Sequence, residues 1–213
     1  QRHDAWFGES LEQHSHEVAV ILQDLHLDEA TLKAAEHLHS TLGKDALIKQ
    51  IGQDACDLLI GYRGLRQAQA KLMKQDGVSN VTGQEEILRK MLLAFGNDLR
   101  VVLIYLASRL QTLRWIAKSR LSASPAWAQE ILDIDASLAN RLGIWQMKWE
   151  MEDLAFRVLA ADTYKEIAGL LDAKRTERER FIADVIGQLN HELSMTNIKA
   201  DVQGRPKHIY SIW

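Results

Sequence analysis

The chain has 213 residues, 46% of them hydrophobic and 26% charged, with a formal net charge of −3. That length can bury a sizeable core in one or two domains, and the small net charge argues against a general nucleic-acid binder, which would carry a basic excess. A single cysteine, Cys56, excludes an intrachain disulfide framework and fits a reducing compartment. No apolar run nears the roughly 18 residues of a membrane span, and no signal-peptide stretch follows Gln1, so a cytoplasmic protein with no membrane partner is expected.

Only Pro125 and Pro206 interrupt the chain, and apolar residues recur three and four apart almost throughout, as in amphipathic helices. Leu11, Val18, Ile21, Leu22 and Leu25 define a first helix. Asp28 is placed to cap a second over about 29–40, closed by Gly43, and two more follow at about 44–51 and 54–73. Residues 74–84 read as a loop, and a helix resumes over about 85–95. The segment 98–118 is hydrophobic nearly all round, which predicts a central helix. Ser124-Pro125 is a start signal, an N-cap followed by proline in the first turn. A helix lined by Trp145, Trp149, Leu154 and Leu159 follows Gly143. Asp162 is read as the cap of the next, which ends near Leu171. Residues 174–193 begin as a charge run, read as a solvated face with Glu/Arg pairs and, less favourably, as a nucleic-acid patch. The alternation of Ile198, Ala200 and Val202 predicts a strand, broken by Gly204 and Pro206, with Arg205, Lys207 and His208 presenting cations to an anion.

Three blocks resemble the RelA/SpoT family, the enzymes that make and degrade the alarmone (p)ppGpp. The strongest runs from Leu138–Phe156 (LANRLGIWQMKWEMEDLAF) through Asp162–Ala168 (DTYKEIA) to Gly204–Trp213 (GRPKHIYSIW); the others are Arg89–Ala94 with Asp98–Leu110, and Val18–Ala35. The resemblance implies an all-α, HD-type helical bundle over 1–172. Residues 173–213 would hold a connecting helix and the first strand of an α/β synthetase domain cut short at Trp213. That domain would transfer pyrophosphate from ATP to GTP or GDP with Mg²⁺. Arg205, Lys207 and Ser211 match motif positions that contact ATP phosphates. The remaining synthetase residues would lie beyond Trp213, so this chain alone is expected to bind no cofactor, to synthesise nothing, and to bind no nucleotide at the corner taken by itself. Partners implied are the chain's own synthetase domain and, through further domains, the ribosome and tRNA.

Bifunctional family members hydrolyse (p)ppGpp in the helical domain with manganese. Their site takes a histidine from the first helix, a His-Asp pair from the second, a Glu-Asp pair for the attacking water, and an aspartate from the central helix. Carboxylates and imidazoles suit such an ion, which acidifies a water. This chain departs from the pattern. The His-Asp pair falls at Leu38 and His39, the Glu-Asp pair at Leu42 and Gly43, and the central aspartate at Ser108 beside a retained Arg109. An asparagine of active hydrolases falls at Thr112, and His14 alone can match a ligand. The expected reading is a degenerate hydrolase domain with no catalytic residue, serving a regulatory role. The alternatives are a residual metal-dependent hydrolase and a nucleotide- or partner-sensing module.

His14, His16, His26, His37 and His39 invite a metal reading in which His14, His37 or His39 joins Asp45. Residues two apart point to different sides of a helix and do not chelate together, so surface or helix-end histidines are expected. Trp115, Trp127, Trp145 and Trp149 are expected as core or interface anchors, and Cys56 as a buried small residue.

Overall fold

A computed structural model describes residues 7–75, 98–196, 198–204 and 207–213. The loop expected over 74–84 lies almost wholly outside these residues, and the helix over 85–95, the Arg89–Ala94 block and Arg205 lie outside them entirely. The described chain forms two compact units, residues 1–155 and 156–213.

In the first unit, α1 (Leu11–Asp24) starts where Ser10 accepts a hydrogen bond from the Gln13 amide. Asp28 opens α2 (Glu29–Glu36) in the same way by accepting from the Thr31 amide and hydroxyl. This helix ends four residues before the expected limit. His37 leaves helical geometry, its Nδ1 bonds the Lys33 carbonyl, and tighter i→i+3 bonds carry the chain through Leu38 and Ser40. There follow α3 (Lys44–Ile51), α4 (Gln53–Gln75) and α5 (Leu99–Ser119), the last capped by Asp98.

The all-round apolar pattern of α5 reflects its place at the centre. It packs on α1, α2 and α4, and Val102, Ile104, Tyr105, Leu106 and Ala107 are fully buried, as are Val18, Leu22 and Leu59 on its neighbours. Where α4 crosses α5 the backbones approach closely, and a Cβ on Gly61 would stand 2.8 Å from Val101 Cγ2. Gly61→Val should therefore cost about 1–3 kcal/mol through overpacking, read as a lower denaturant midpoint.

Arg100 ties three helix starts together. Its guanidinium bonds Asp98, Asp54 in the first turn of α4, and Asp28 at the cap of α2. Beyond α5, Pro125–Arg141 is one continuous helical rod. It comprises α6 (Pro125–Glu130), a π-helical turn (Ile131–Ala136) and α7 (Ser137–Arg141). Ser124 caps it as expected, and the Ser137 hydroxyl donates to the Leu132 carbonyl inside the π turn. Next comes α8 (Trp145–Leu159). Its Trp145 is half-exposed and stacks on Trp149, so of the two places expected for this pair, core or interface, the core is not the one taken by Trp145.

The second unit contains α9 (Ala161–Ala173) and α10 (Arg175–Met195). Asp162 lies inside the first turn of α9 and does not cap it, because the helix begins one residue earlier, after Ala160. The Phe156 ring meets Tyr164, Tyr210 and Trp213. Gly204 lies against α10, where a Cβ would come 2.7 Å from Ile182 Cγ2. No strand forms among the described residues, and 198–204 has no secondary structure. A strand requires a neighbour to pair its amides and carbonyls, and no described segment takes that place.

Candidate functional site

Three of the residues corresponding to the hydrolase ligands, His14, His39 and Ser108, come together at one largely buried place. His14 projects from α1 with no solvent exposure and meets Ser108 of α5, its Nε2 lying 3.0 Å from Ser108 Oγ. Nδ1 of His14 lies 2.9 Å from Glu9 Oε2, and Gln111 donates to the other oxygen of the same carboxylate. Tyr62 of α4 reaches Ser108 Oγ at 3.1 Å, and Arg66, one turn along, donates to Tyr62 Oη at 3.4 Å. The ring of His39 lies 5.3 Å from that of His14.

One order of protons satisfies this chain. Arg66 has only donors, so the Tyr62 oxygen accepts from it and Tyr62 donates to Ser108. Ser108 then donates to His14 Nε2, which leaves the proton on Nδ1 to donate to the Glu9 carboxylate. Electrostatics agrees that the imidazole is neutral. Burial, reinforced by repulsion from His39 and Arg66, lowers its pKa from 6.5 to about 3. Burial, with Arg66 and Arg63 nearby, lowers His39 to about 4. Burial raises the Glu9 carboxyl above its ordinary value, and the Gln111 hydrogen bond offsets part of that rise.

These donors do not fit a divalent ion. A histidine ligand needs one ring nitrogen with its lone pair open to the metal, and both nitrogens of His14 are engaged within the chain. Ser108 offers a hydroxyl that already bonds His14 and Tyr62, and Leu38 is a buried apolar side chain. Leu42 is exposed, Gly43 sits at the start of α3, and the Thr112 hydroxyl is turned back on the Ser108 carbonyl. Among the described residues no group of three or more His, Cys, Asp or Glu side chains is arranged to hold a metal ion. His37 caps α2 and meets Gln50, and His16 is exposed beside Glu36, as expected of helix-end and surface histidines. His14 is neither, and the reason is its set of partners.

Arg109 turns away from this place. Its Nε donates to Asp135 at 2.7 Å, its Nη2 donates to Glu130 at 2.9 Å, and the Trp127 ring lies 5.1 Å from the guanidinium carbon. Tyr105 donates to the other oxygen of Asp135, a fully buried carboxylate in the π turn. Burial opposes the charge on Arg109, but Asp135 and Glu130 more than offset it, and its pKa is raised.

In the second unit Lys207 lines a cleft with α10, while Ser211 is exposed in the closing turn, its amide bonded to the His208 carbonyl. Sequence reasoning missed Glu9, Tyr62, Arg66 and Gln111. Glu9 precedes α1 and carries no periodic signal, and the others sit at ordinary helix positions.

Comparison with known proteins agrees with the helical core. The HD domain family matches residues 2–145. A GTP pyrophosphokinase of Escherichia coli (strain K12) is 40% identical over 202 residues, covering 92% of this chain and 27% of that protein. A GTP pyrophosphokinase of Photobacterium angustum is 48% identical over 130 residues, 61% of this chain and 18% of that protein. A Synechocystis protein named probable guanosine-3′,5′-bis(diphosphate) 3′-pyrophosphohydrolase is 38% identical over 212 residues, 97% of this chain and 27% of its own length. The chain thus spans about a quarter of the relatives that it matches over most of its length. With a family match over two thirds of its residues and homology to GTP pyrophosphokinases over most of its length, the chain belongs to the HD domain family.

Proposed function

We propose that residues 1–172 are a pseudo-hydrolase, an HD domain that keeps its fold without its chemistry and serves a GTP pyrophosphokinase as a regulatory module. The observation that carries this reading is the commitment of His14: both ring nitrogens are held by Glu9 and Ser108 within the protein. Polar groups satisfied in this way stabilise the core where a metal-loaded site would leave donors open to the ion. The hydrophobic packing around α5 supports the same view, since the fold's apolar centre is kept, with Val102, Ile104, Tyr105, Leu106 and Ala107 fully buried.

In a longer protein like its relatives, residues 173–213 would begin the synthetase domain. That domain would transfer pyrophosphate from ATP to the 3′-hydroxyl of GTP or GDP, yielding (p)ppGpp and AMP. Arg205, Lys207 and Ser211 would meet the ATP phosphates and Mg²⁺ would balance their charge. The helical domain would act on this neighbour by intramolecular packing, and ribosome or tRNA signals would enter through other domains.

Incubation of the 213-residue chain with (p)ppGpp and Mn²⁺ is the test. Pyrophosphate release at the rate of a protein-free blank is expected. Release at an enzymatic rate, lost on chelation of the metal, would overturn the reading.

A further inference from the structure

The segment Phe7–Ser10, which precedes α1 and ends on its cap, is held by side chains of the helical core. Trp115 of α5 donates Nε1 to the Phe7 carbonyl at 2.9 Å, and the Phe7 ring tilts against Trp127 of α6 with centroids 5.4 Å apart. Two residues on, the Glu9 carboxylate is buried between Nδ1 of His14 and Nε2 of Gln111. Phe7 and Gly8 both have positive φ, 45° and 81°. For Phe7, which carries a Cβ, that conformation is costly, so these contacts and not backbone preference keep the segment in place. The polar contacts all run in one sense. His14, Gln111 and Trp115 present N–H groups, and Glu9 and Phe7 supply the oxygens. His14 and Gln111 are 0% and 5% exposed, on different helices. Lifting the segment would leave their two donors without an acceptor, in a place already shaped for a carboxylate. Burial of that carboxylate is itself opposed, and the Glu9 pKa is raised for this reason.

We propose that Phe7–Ser10 is a strap that opens apart from the helical core, and that the place beneath it is a carboxylate site with Glu9 as its built-in occupant. A strained backbone and a desolvated anion make the closed strap less secure than the apolar packing behind it. Opening exposes His14, which the strap otherwise seals, and a small carboxylate from solution then competes with Glu9 for the donors of His14 and Gln111. The strap is independent of whether the domain hydrolyses (p)ppGpp, since pyrophosphate release reads neither its opening nor its occupant.

Two chemical labels on the 213-residue chain, read residue by residue by mass spectrometry, test the strap. Diethyl pyrocarbonate marks His14, and a thiol reagent marks Cys56, which is fully buried in α4 and reports opening of the core. Relative to the free amino acids, His14 should be less protected than Cys56. In urea below the unfolding transition its rate should hardly change, while that of Cys56 rises steeply. Phe7→Ala should speed His14 labelling about tenfold without urea. Rates that climb together with urea would mean that His14 is reached only by global unfolding, and would overturn the strap. For the occupant, Glu9→Ala should melt about 4–8 °C below the parent chain. Acetate should recover part of this loss and slow His14 labelling again, whereas acetamide, or chloride at the same ionic strength, should do neither. The parent chain should not respond to acetate, because Glu9 is tethered at high effective concentration. If Glu9→Ala does not fold, acetate and not acetamide should restore its refolding. Equal effects of acetate and acetamide would overturn the carboxylate site, as would a Glu9→Ala chain that melts with its parent.

Discussion

Asp135→Ala should cost about 3–5 kcal/mol of stability, the largest loss expected of a single polar substitution in this chain. The carboxylate is fully buried and accepts from Arg109 Nε and Tyr105 Oη, each at 2.7 Å. Alanine would leave a buried guanidinium with Glu130 as its remaining carboxylate and a buried phenol without an acceptor. The loss arises chiefly from stranding these groups, not from the attraction forgone. The double variant Asp135→Leu, Arg109→Met should accordingly lose less than Asp135→Ala alone, since it removes the charge together with its partner. Denaturant midpoints at constant slope would measure both, and a double variant that lost the sum of its singles would refute the account.

The second large effect is on pH. A histidine whose folded pKa lies below its unfolded one takes up a proton first in the unfolded chain. The stability it contributes is full above about pH 6.5 and is lost as the pH falls toward the folded value. His14 and His39 are both lowered from 6.5, to about 3 and about 4. Each can contribute a slope of up to about 1.4 kcal/mol per pH unit, less for the partly exposed His39. Glu9 acts in the opposite sense, because its raised pKa means that the folded chain takes up this proton first, so stability is regained as the pH falls through the folded value to 4.5 and no further below it. Stability should therefore fall between about pH 6.5 and 4, offset in part where Glu9 takes up its proton above 4.5. Unfolding free energies measured across this range would show it. His39→Asn should flatten the limb, and an unchanged slope in that variant would count against the assignment.

Much of the helical core was legible in the sequence because its determinants are local. The caps at Asp28 and Ser124 lie within three residues of the amides they serve, and the breadth of the apolar surface on 98–118 announced a buried helix. The centre of the candidate site was only half legible. Alignment by resemblance brought His14, His39 and Ser108 together, but not what holds them. Ser108 is 94 residues from His14, and Gln111 is 102 from Glu9, so no periodicity reports either contact. Asp135 was equally silent. An aspartate within a helical rod reads as a surface residue, and only the partners on α5 make its burial tolerable. The misplaced strand at 198–202 has a related cause, since alternation states a preference that only a pairing neighbour can realise.

The π turn at Ile131–Ala136 fixes the rotational phase of α7. A π turn closes its hydrogen bonds over one residue more than an α turn, so α6 and α7 belong to one rod but not to one continuous α-helical screw. Each residue advances an α-helix by roughly 100°. Deleting Leu132 would let Pro125–Arg141 relax into a uniform α-helix and would swing Leu138 and Ala139, both fully buried, out of alignment with the core by about that angle. The bulge thus acts as a phase-setting insertion: it lets one rod present Asp135 to α5 and still turn its last apolar face inward.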